Sequence, residues 1–189
     1  RGMAHYNEPM AWAQLILRGM SPSALQGNTK AISLLFPMEA VFESFVAQTL
    51  PYELPSHLKV IPQAATYSLV KHGSNDCFKL RPDLLIQSRR PVQTKLVMDT
   101  KWKLINSNSQ KTTQYGLAQA DFYQMFAYGQ KYLNGIGEMY LIYPAHDQFN
   151  QPIQQHFAFS KTLKLWVVPY QITANRGERM MWVKDVSSI

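Results

Sequence analysis

Arg81-Pro82-Asp83-Leu84-Leu85-Ile86, followed after the basic turn Ser88-Arg89-Arg90-Pro91 by Val97-Met98-Asp99-Thr100-Lys101, is the stretch on which the reading of this chain turns. Both runs have β-type composition, and each carries one carboxylate. Side chains on a strand alternate faces, so an extended 95–102 segment points Asp99 and Lys101 one way and Leu96, Met98, Thr100 and Trp102 the other. A hairpin through 88–91 returns the second strand antiparallel to the first. That return sets Asp83 beside Asp99 although many residues separate them along the chain.

Two carboxylates held close raise each other's pKa unless a cation lies between them, and a hard divalent ion with oxygen ligands, Mg²⁺ first, suits such a pair. The pattern therefore predicts a centre for metal-dependent phosphodiester hydrolysis. There the ion polarises the phosphoryl oxygen, acidifies a bound water and neutralises the leaving oxygen. Lys101 is placed to orient or help deprotonate that water and to stabilise the developing charge. Taken alone, an Asp-x-Lys triplet is as readily a solvated pair on a polar strand face. The preceding Pro-Asp, the tight spacing and the flanking elements argue for the nuclease reading.

Composition bounds that reading. A length of 189 residues with 46% hydrophobic content suits one compact domain, and a single cysteine, Cys77, offers no disulfide framework. No run is long and apolar enough for a membrane span and the N-terminus lacks signal-peptide anatomy, so a cytoplasmic protein is expected. The formal charge is +7, and residues 71–111 hold nine Lys or Arg against Asp76, Asp83 and Asp99, a net of +6. Basic side chains around the expected site would neutralise backbone phosphates, with Arg81, Arg89, Arg90, Lys103 and Lys111 as the candidates for contacting DNA. A solvated basic face is the alternative. The five histidines show no ligand spacing for zinc, and no Gly-rich phosphate loop points to nucleotide hydrolysis.

Outward from the two strands, helical spacing predicts an N-terminal helix over Glu8–Gly19, a loop over 20–32, and a second helix over Phe36–Leu50 with Met38, Val41, Phe42, Phe45 and Thr49 on its apolar face. Residues 1–35 thus read as a lead into a core domain over 36–189. Glu43 is the helical carboxylate expected to complete the metal shell, whereas Glu39 suits the helix N-terminus. Leu58–Val70 and Cys77–Gln87, with the Asp99 strand, predict a three-stranded meander. A polar loop is expected over 106–114, then a helix over Gly116–Leu133. On that helix Gln124 and Tyr128 share a face and could grip a phosphate or the metal-bearing loop, while Phe122, Met125, Phe126 and Tyr132 read as core and Tyr128 as half-buried. Leu141–Tyr143 and Leu163–Pro169 read as short strands at the sheet edge. The fold expected is α/β, a mixed sheet flanked by helices.

A helical glutamate, Pro82-Asp83, Asp99-Thr100-Lys101 and Gln124-x-x-x-Tyr128, in that order, resemble the motifs of the PD-(D/E)XK nuclease superfamily and its restriction-endonuclease-like core. The strings FPMEAVFESFV, RPDLLI, VMDTKWK, DFYQMFAYGQKYL and MYLIYP, across about residues 36–144, are similar to the McrC family of nuclease subunits from modification-dependent, 5-methylcytosine-specific restriction systems of bacteria and archaea. The resemblance implies a DNA endonuclease that needs Mg²⁺, with Mn²⁺ able to substitute. Asp83, Asp99 and the Thr100 carbonyl would hold metal, Glu43 support the shell, Lys101 assist the water, and Gln124 and Tyr128 stabilise the site. It also implies a McrB-like AAA+ GTPase partner for the full-length protein, one that recognises methylated DNA. A non-catalytic nucleic-acid-binding or assembly module, and a repair or structure-specific nuclease of the same superfamily, are the competing readings.

Overall fold

Strand β5, Val92–Thr100, is the element around which the rest is arranged. A computed structural model describes residues 37–107 and 111–185, with 111–113 described as backbone alone; the helix and loop expected over 8–32 lie outside the described residues. Helix α1, Met38–Thr49, begins after Pro37, whose fixed φ and missing N–H suit a helix start, and tightens into a 3₁₀ turn over Leu50–Glu53. The strands are β1 Leu58–Pro62, β2 Ser68–His72, β3 Asn75–Lys79, β4 Leu84–Arg89, β5, β6 Gly137–Pro144, β7 Phe157–Ala158 and β8 Leu163–Tyr170. Helix α2, Gln119–Tyr132, carries the chain from β5 to β6.

Six strands form one sheet in the order β1-β4-β5-β6-β8-β7, and β2 pairs with β3 alone. The pairs β1/β4, β4/β5 and β7/β8 are antiparallel; β5/β6 and β6/β8 are parallel. Parallel neighbours need a crossover, and α2 supplies the one between β5 and β6. The two sheet faces bury different sets. Leu84, Ile86, Leu96, Met98, Tyr140 and Ile142 pack with Phe42, Val46 and Leu50 on the α1 side. Leu85, Val97, Met139, Leu141 and Leu165 pack with Met125, Tyr128 and Tyr132 on the α2 side. Helix α2 comes close to the sheet at Gly129, where a Cβ would stand 2.8 Å from Leu163 Cδ2 and 2.8 Å from Met139 Sδ.

The expected α/β fold with a mixed sheet and flanking helices is present, with several internal differences. The three-stranded meander is instead five strands in two sheets. The 58–70 run breaks at Gln63, whose φ is 46° and whose N–H donates to Asp83 O, and the 77–87 run breaks at Leu80–Asp83, where Pro82 has no N–H for a ladder. Strands β6 and β8 lie inside the sheet, whose edges are β1 and the two residues of β7. Their near-continuous apolar runs, covered on both faces, are the pattern of buried parallel strands.

Helix α1 buries Phe42 and Val46 and the 3₁₀ turn after it Leu50, while Met38 and Val41, expected inside, are exposed. On α2, Phe126 is exposed and Tyr128, expected to be half-buried, is buried. The expected loop over 106–114 contains the start of a 3₁₀ segment, Lys111–Gly116, with Gln114 and Tyr115 left-handed. Among the described residues no helix is long and apolar enough to cross a membrane.

Candidate active site

The register of β4 on β5 pairs Leu84 with Met98, so Asp83, one residue before Leu84, comes to the level of Asp99. Asp83 Oδ2 accepts from both the N–H and the Oγ1 of Thr100, each at 2.7 Å, which locks the strand entry onto the end of β5. Asp99 and Lys101 point together towards α2, as strand alternation requires, and Trp102 points to the other side, its ring 5.6 Å from that of Phe42.

Asp99 is 1% exposed. Its Oδ2 accepts from Lys101 Nζ, and its Oδ1 is buried with no hydrogen-bond partner among the described residues. Lys101 Nζ also donates to Gln124 Oε1 at 3.1 Å and lies 3.9 Å from Asp121 Oδ1. Gln124 Nε2 donates to the Tyr128 hydroxyl at 2.8 Å, and that hydroxyl donates to Arg81 O at 2.9 Å. A chain of polar contacts thus runs from the lysine through α2 to the segment just before Asp83.

Electrostatics follow from this crowding. Burial, then the charge of Asp83, push Asp99 up to about 7 against the opposing pull of Lys101. For Lys101, burial acts to lower the pKa, but the charge and hydrogen bond of Asp99, aided by Asp121 and Asp83, outweigh it and the pKa is raised. The Tyr128 phenol is pushed up to about 12 by burial and by the charge of Asp99, so it stays a donor.

The side chains face a cleft of about 410 Å³ whose walls include Glu39, Glu43, Asp83, Asp99, Asp121, Lys101 and Lys103. An acidic cleft with a buried, unpartnered carboxylate oxygen has the donor chemistry of a hard divalent cation site. As arranged, three of these carboxylates are partly engaged elsewhere: Asp83 with Thr100, Glu43 Oε1 with Gln63 Nε2 at 2.5 Å, Asp121 Oδ2 with the Tyr143 hydroxyl at 3.4 Å. Among the described residues no three His, Cys, Asp or Glu side chains stand together closely enough to hold a metal ion.

A family model described as McrBC 5-methylcytosine restriction system component matches residues 1–144. The chain belongs to the McrBC family. Its fold is also similar to that of a chain in a solved assembly of Thermococcus gammatolerans McrB AAA+ hexamers with bound McrC, at a TM-score of 0.51 and 14% identity, covering 88% of this chain and 42% of that one. At that identity the likeness is one of fold, and this chain spans less than half the length of the one it matches. No curated protein matches it.

In this McrBC-family chain the structure brings Asp83, Asp99, Thr100, Lys101, Gln124 and Tyr128 together, with Glu43 on the cleft wall. Arg81 is exposed beside them, and Lys103 lines the cleft while its Nζ donates to Gly116 O at 2.6 Å. The basic excess does not all surround the site. Arg89 and Arg90 sit at the turn of the β4–β5 hairpin, roughly 20 Å along the strand from Asp83 at the usual rise per residue. Arg89 Nε is occupied there by the carbonyls of Ser56 and Leu58. The Lys111 side chain lies outside the described residues. Asp121 and Gln63 received no role from the sequence. For Asp121 a signal existed, since it stands three and seven residues before Gln124 and Tyr128 and so shares their helical face.

Proposed function

We propose that this McrBC-family chain carries the DNA-cleaving centre of a modification-dependent restriction complex, a PD-(D/E)XK-type core that hydrolyses phosphodiester bonds with Mg²⁺. The observation that carries the reading is the buried, unpartnered Oδ1 of Asp99 beside Asp83, with Lys101 two residues on along the same face. Asp83, Asp99 and the Thr100 carbonyl would hold the ion, with Glu43 on the cleft wall supporting its shell through a retained water. When bound, a divalent cation supplies positive charge to the phosphoryl oxygen and lowers the pKa of a water.

The chain's own groups do the rest. With the Asp99 carboxylate taken up by a cation, Lys101 would be free to turn its Nζ hydrogens to the attacking water and to the oxygens where charge builds in the transition state. Gln124, itself held by Tyr128, keeps Nζ from swinging into solvent, and Tyr128 through Arg81 O ties α2 to the strand entry that carries Asp83. Arg81 and Lys103 supply charge for phosphates without reading sequence. Family membership and the likeness to the McrB–McrC assembly support a GTP-hydrolysing AAA+ partner that brings modified DNA to the site.

The test is cleavage of supercoiled methylated DNA in Mg²⁺ or Mn²⁺ at low salt, by the chain alone and with a McrB-like partner and GTP, beside a Lys101→Ala protein of matched folding. Nicking in either setting that falls at least about a hundredfold in Lys101→Ala is expected. Equal cleavage by the variant would sink the assigned centre. Absence of cleavage in both settings would overturn the enzyme reading in favour of a binding or assembly module.

A further inference from the structure

Between Gln63 and Asp83 the chain leaves the sheet and returns to it, making a two-stranded ribbon of β2 and β3. Its base is clamped. Leu80 N–H donates to Tyr67 O, the Tyr132 hydroxyl donates to the carbonyls of Ala64 and Leu80, and the Tyr67 and Tyr132 rings meet edge to face at 4.9 Å. Beyond that base, nothing among the described residues covers it. Leu69, Val70, Lys71, His72, Phe78 and Lys79 are all exposed. A lone two-stranded ribbon is marginal in water, and this one holds apolar side chains out to solvent. Phe78 is the extreme case, 74% exposed with a φ of 58°, a left-handed conformation that a bulky side chain rarely adopts. Strain and apolar exposure together at one residue are not explained by packing, and such outliers gather where a protein meets a ligand.

We infer that the ribbon is a DNA-gripping element, laid along the duplex backbone beside the bond to be cut, with Phe78 pressed against the sugar and base edges of a groove. This rests on the nuclease reading above. Charge fits the occupant, for residues 67–81 carry Lys71, Lys79 and Arg81 against the single acid Asp76. Lys71 and Lys79 lie 3.9 and 3.5 Å from Asp76 at exposed positions, and pairs of that kind are weak enough for phosphates to displace. The ribbon is joined to the cleft walls at both ends: Gln63, before it, bonds Glu43, and Arg81, after it, stands two residues before Asp83. A two-stranded ribbon is narrow enough for the major groove, and apolar side chains of this size act as wedges or stacking faces on DNA.

The experiment measures duplex binding by fluorescence anisotropy in EDTA, so that it does not depend on cutting. Phe78→Gly removes the aromatic surface where glycine adopts the observed φ without strain. Its melting temperature should match or exceed that of the wild type, while its duplex affinity falls about five- to tenfold. In the Lys71→Ala/Lys79→Ala double variant the slope of log K against log salt should shrink by about 1.8, near 0.9 for each lost phosphate contact. Wild-type affinity and salt slope in both variants, or no duplex affinity in the wild type, would overturn the inference. Retained DNA binding with loss of AAA+ partner capture in Phe78→Gly would overturn it too, giving the ribbon to a protein partner. Failure of the nuclease reading shows itself separately, as Lys101→Ala cutting as well as the wild type.

Discussion

The central strands β5, β6 and β8 and the ribbon β2–β3 share the extended backbone and live in opposite environments. Each central strand has a paired neighbour on both edges, and the helices bury residues on both sheet faces, so Val97, Leu141 and Val167 are almost wholly buried. Ribbon residues have one neighbour and open faces, and Leu69 and Val70 stay exposed. What the contrast teaches is where chemistry sits. Asp99 lies one residue from the end of a buried strand, and Asp83 stands one residue before the strand that follows the exposed ribbon. The proposed site lies on that seam, dry enough to raise the proton affinity of a carboxylate and open enough to admit a polymer.

The sharpest way to break this comparison is to cut into the central side. Leu141→Ala, in the middle of a doubly covered strand, should cost about 2–5 kcal/mol in urea unfolding, and a loss as small as that of a surface site would deny the sheet its central role. Gly129→Ala comes next. Its Cβ would press on Leu163 Cδ2 and Met139 Sδ, side-chain ends with some freedom to yield, so a loss of about 1–3 kcal/mol is expected. An unchanged melt would mean that α2 does not depend on that close approach.

At the seam the comparison is sharpened by pH. The pKa of Asp99, at about 7, is raised above its ordinary value, so its contribution to stability is complete below about pH 4 and is lost as pH rises through 7. A cation needs the ionised form. Mn²⁺ affinity followed by calorimetry should therefore be flat above pH 7 and weaken towards about tenfold per pH unit below it, as one proton competes. Asp99→Asn should lose the weakening along with most of the affinity; a pH profile shared by wild type and variant would place the proton elsewhere. The smallest effect belongs to the ribbon, where Val70→Ala, at 46% exposure, should change unfolding by no more than about 0.5 kcal/mol. A loss near that of Leu141→Ala would show the ribbon to be packed in solution and end the contrast.

Much of the site was legible because its parts are local. The turn at 88–91 and the alternation along 95–102 are short-range facts, and they correctly put Asp83 level with Asp99 and Lys101 on the face of Asp99. Gln124 and Tyr128 were paired by helical spacing alone, and they do bond. Less visible was whatever depends on long-range pairing. Nothing local distinguishes an edge strand from the interior strand that β6 is, or tells a meander from two strands with a ribbon inserted between them. The basic cluster misled for a related reason: Arg89 and Arg90 are near Asp83 in sequence, but an extended strand carries them away from it.

The sequence by itself determined the element types, the two-carboxylate hairpin and the lysine beside it, because period, turn chemistry and spacing are properties of neighbouring residues. Only the tertiary structure decided that Asp121 joins the cleft, that Glu43 meets Gln63, and that, among the described residues, Asp99 keeps an unpartnered buried oxygen and the ribbon stands uncovered. Those outcomes depend on which distant surfaces meet and which water they exclude, and burial of that kind is a property of the packed whole.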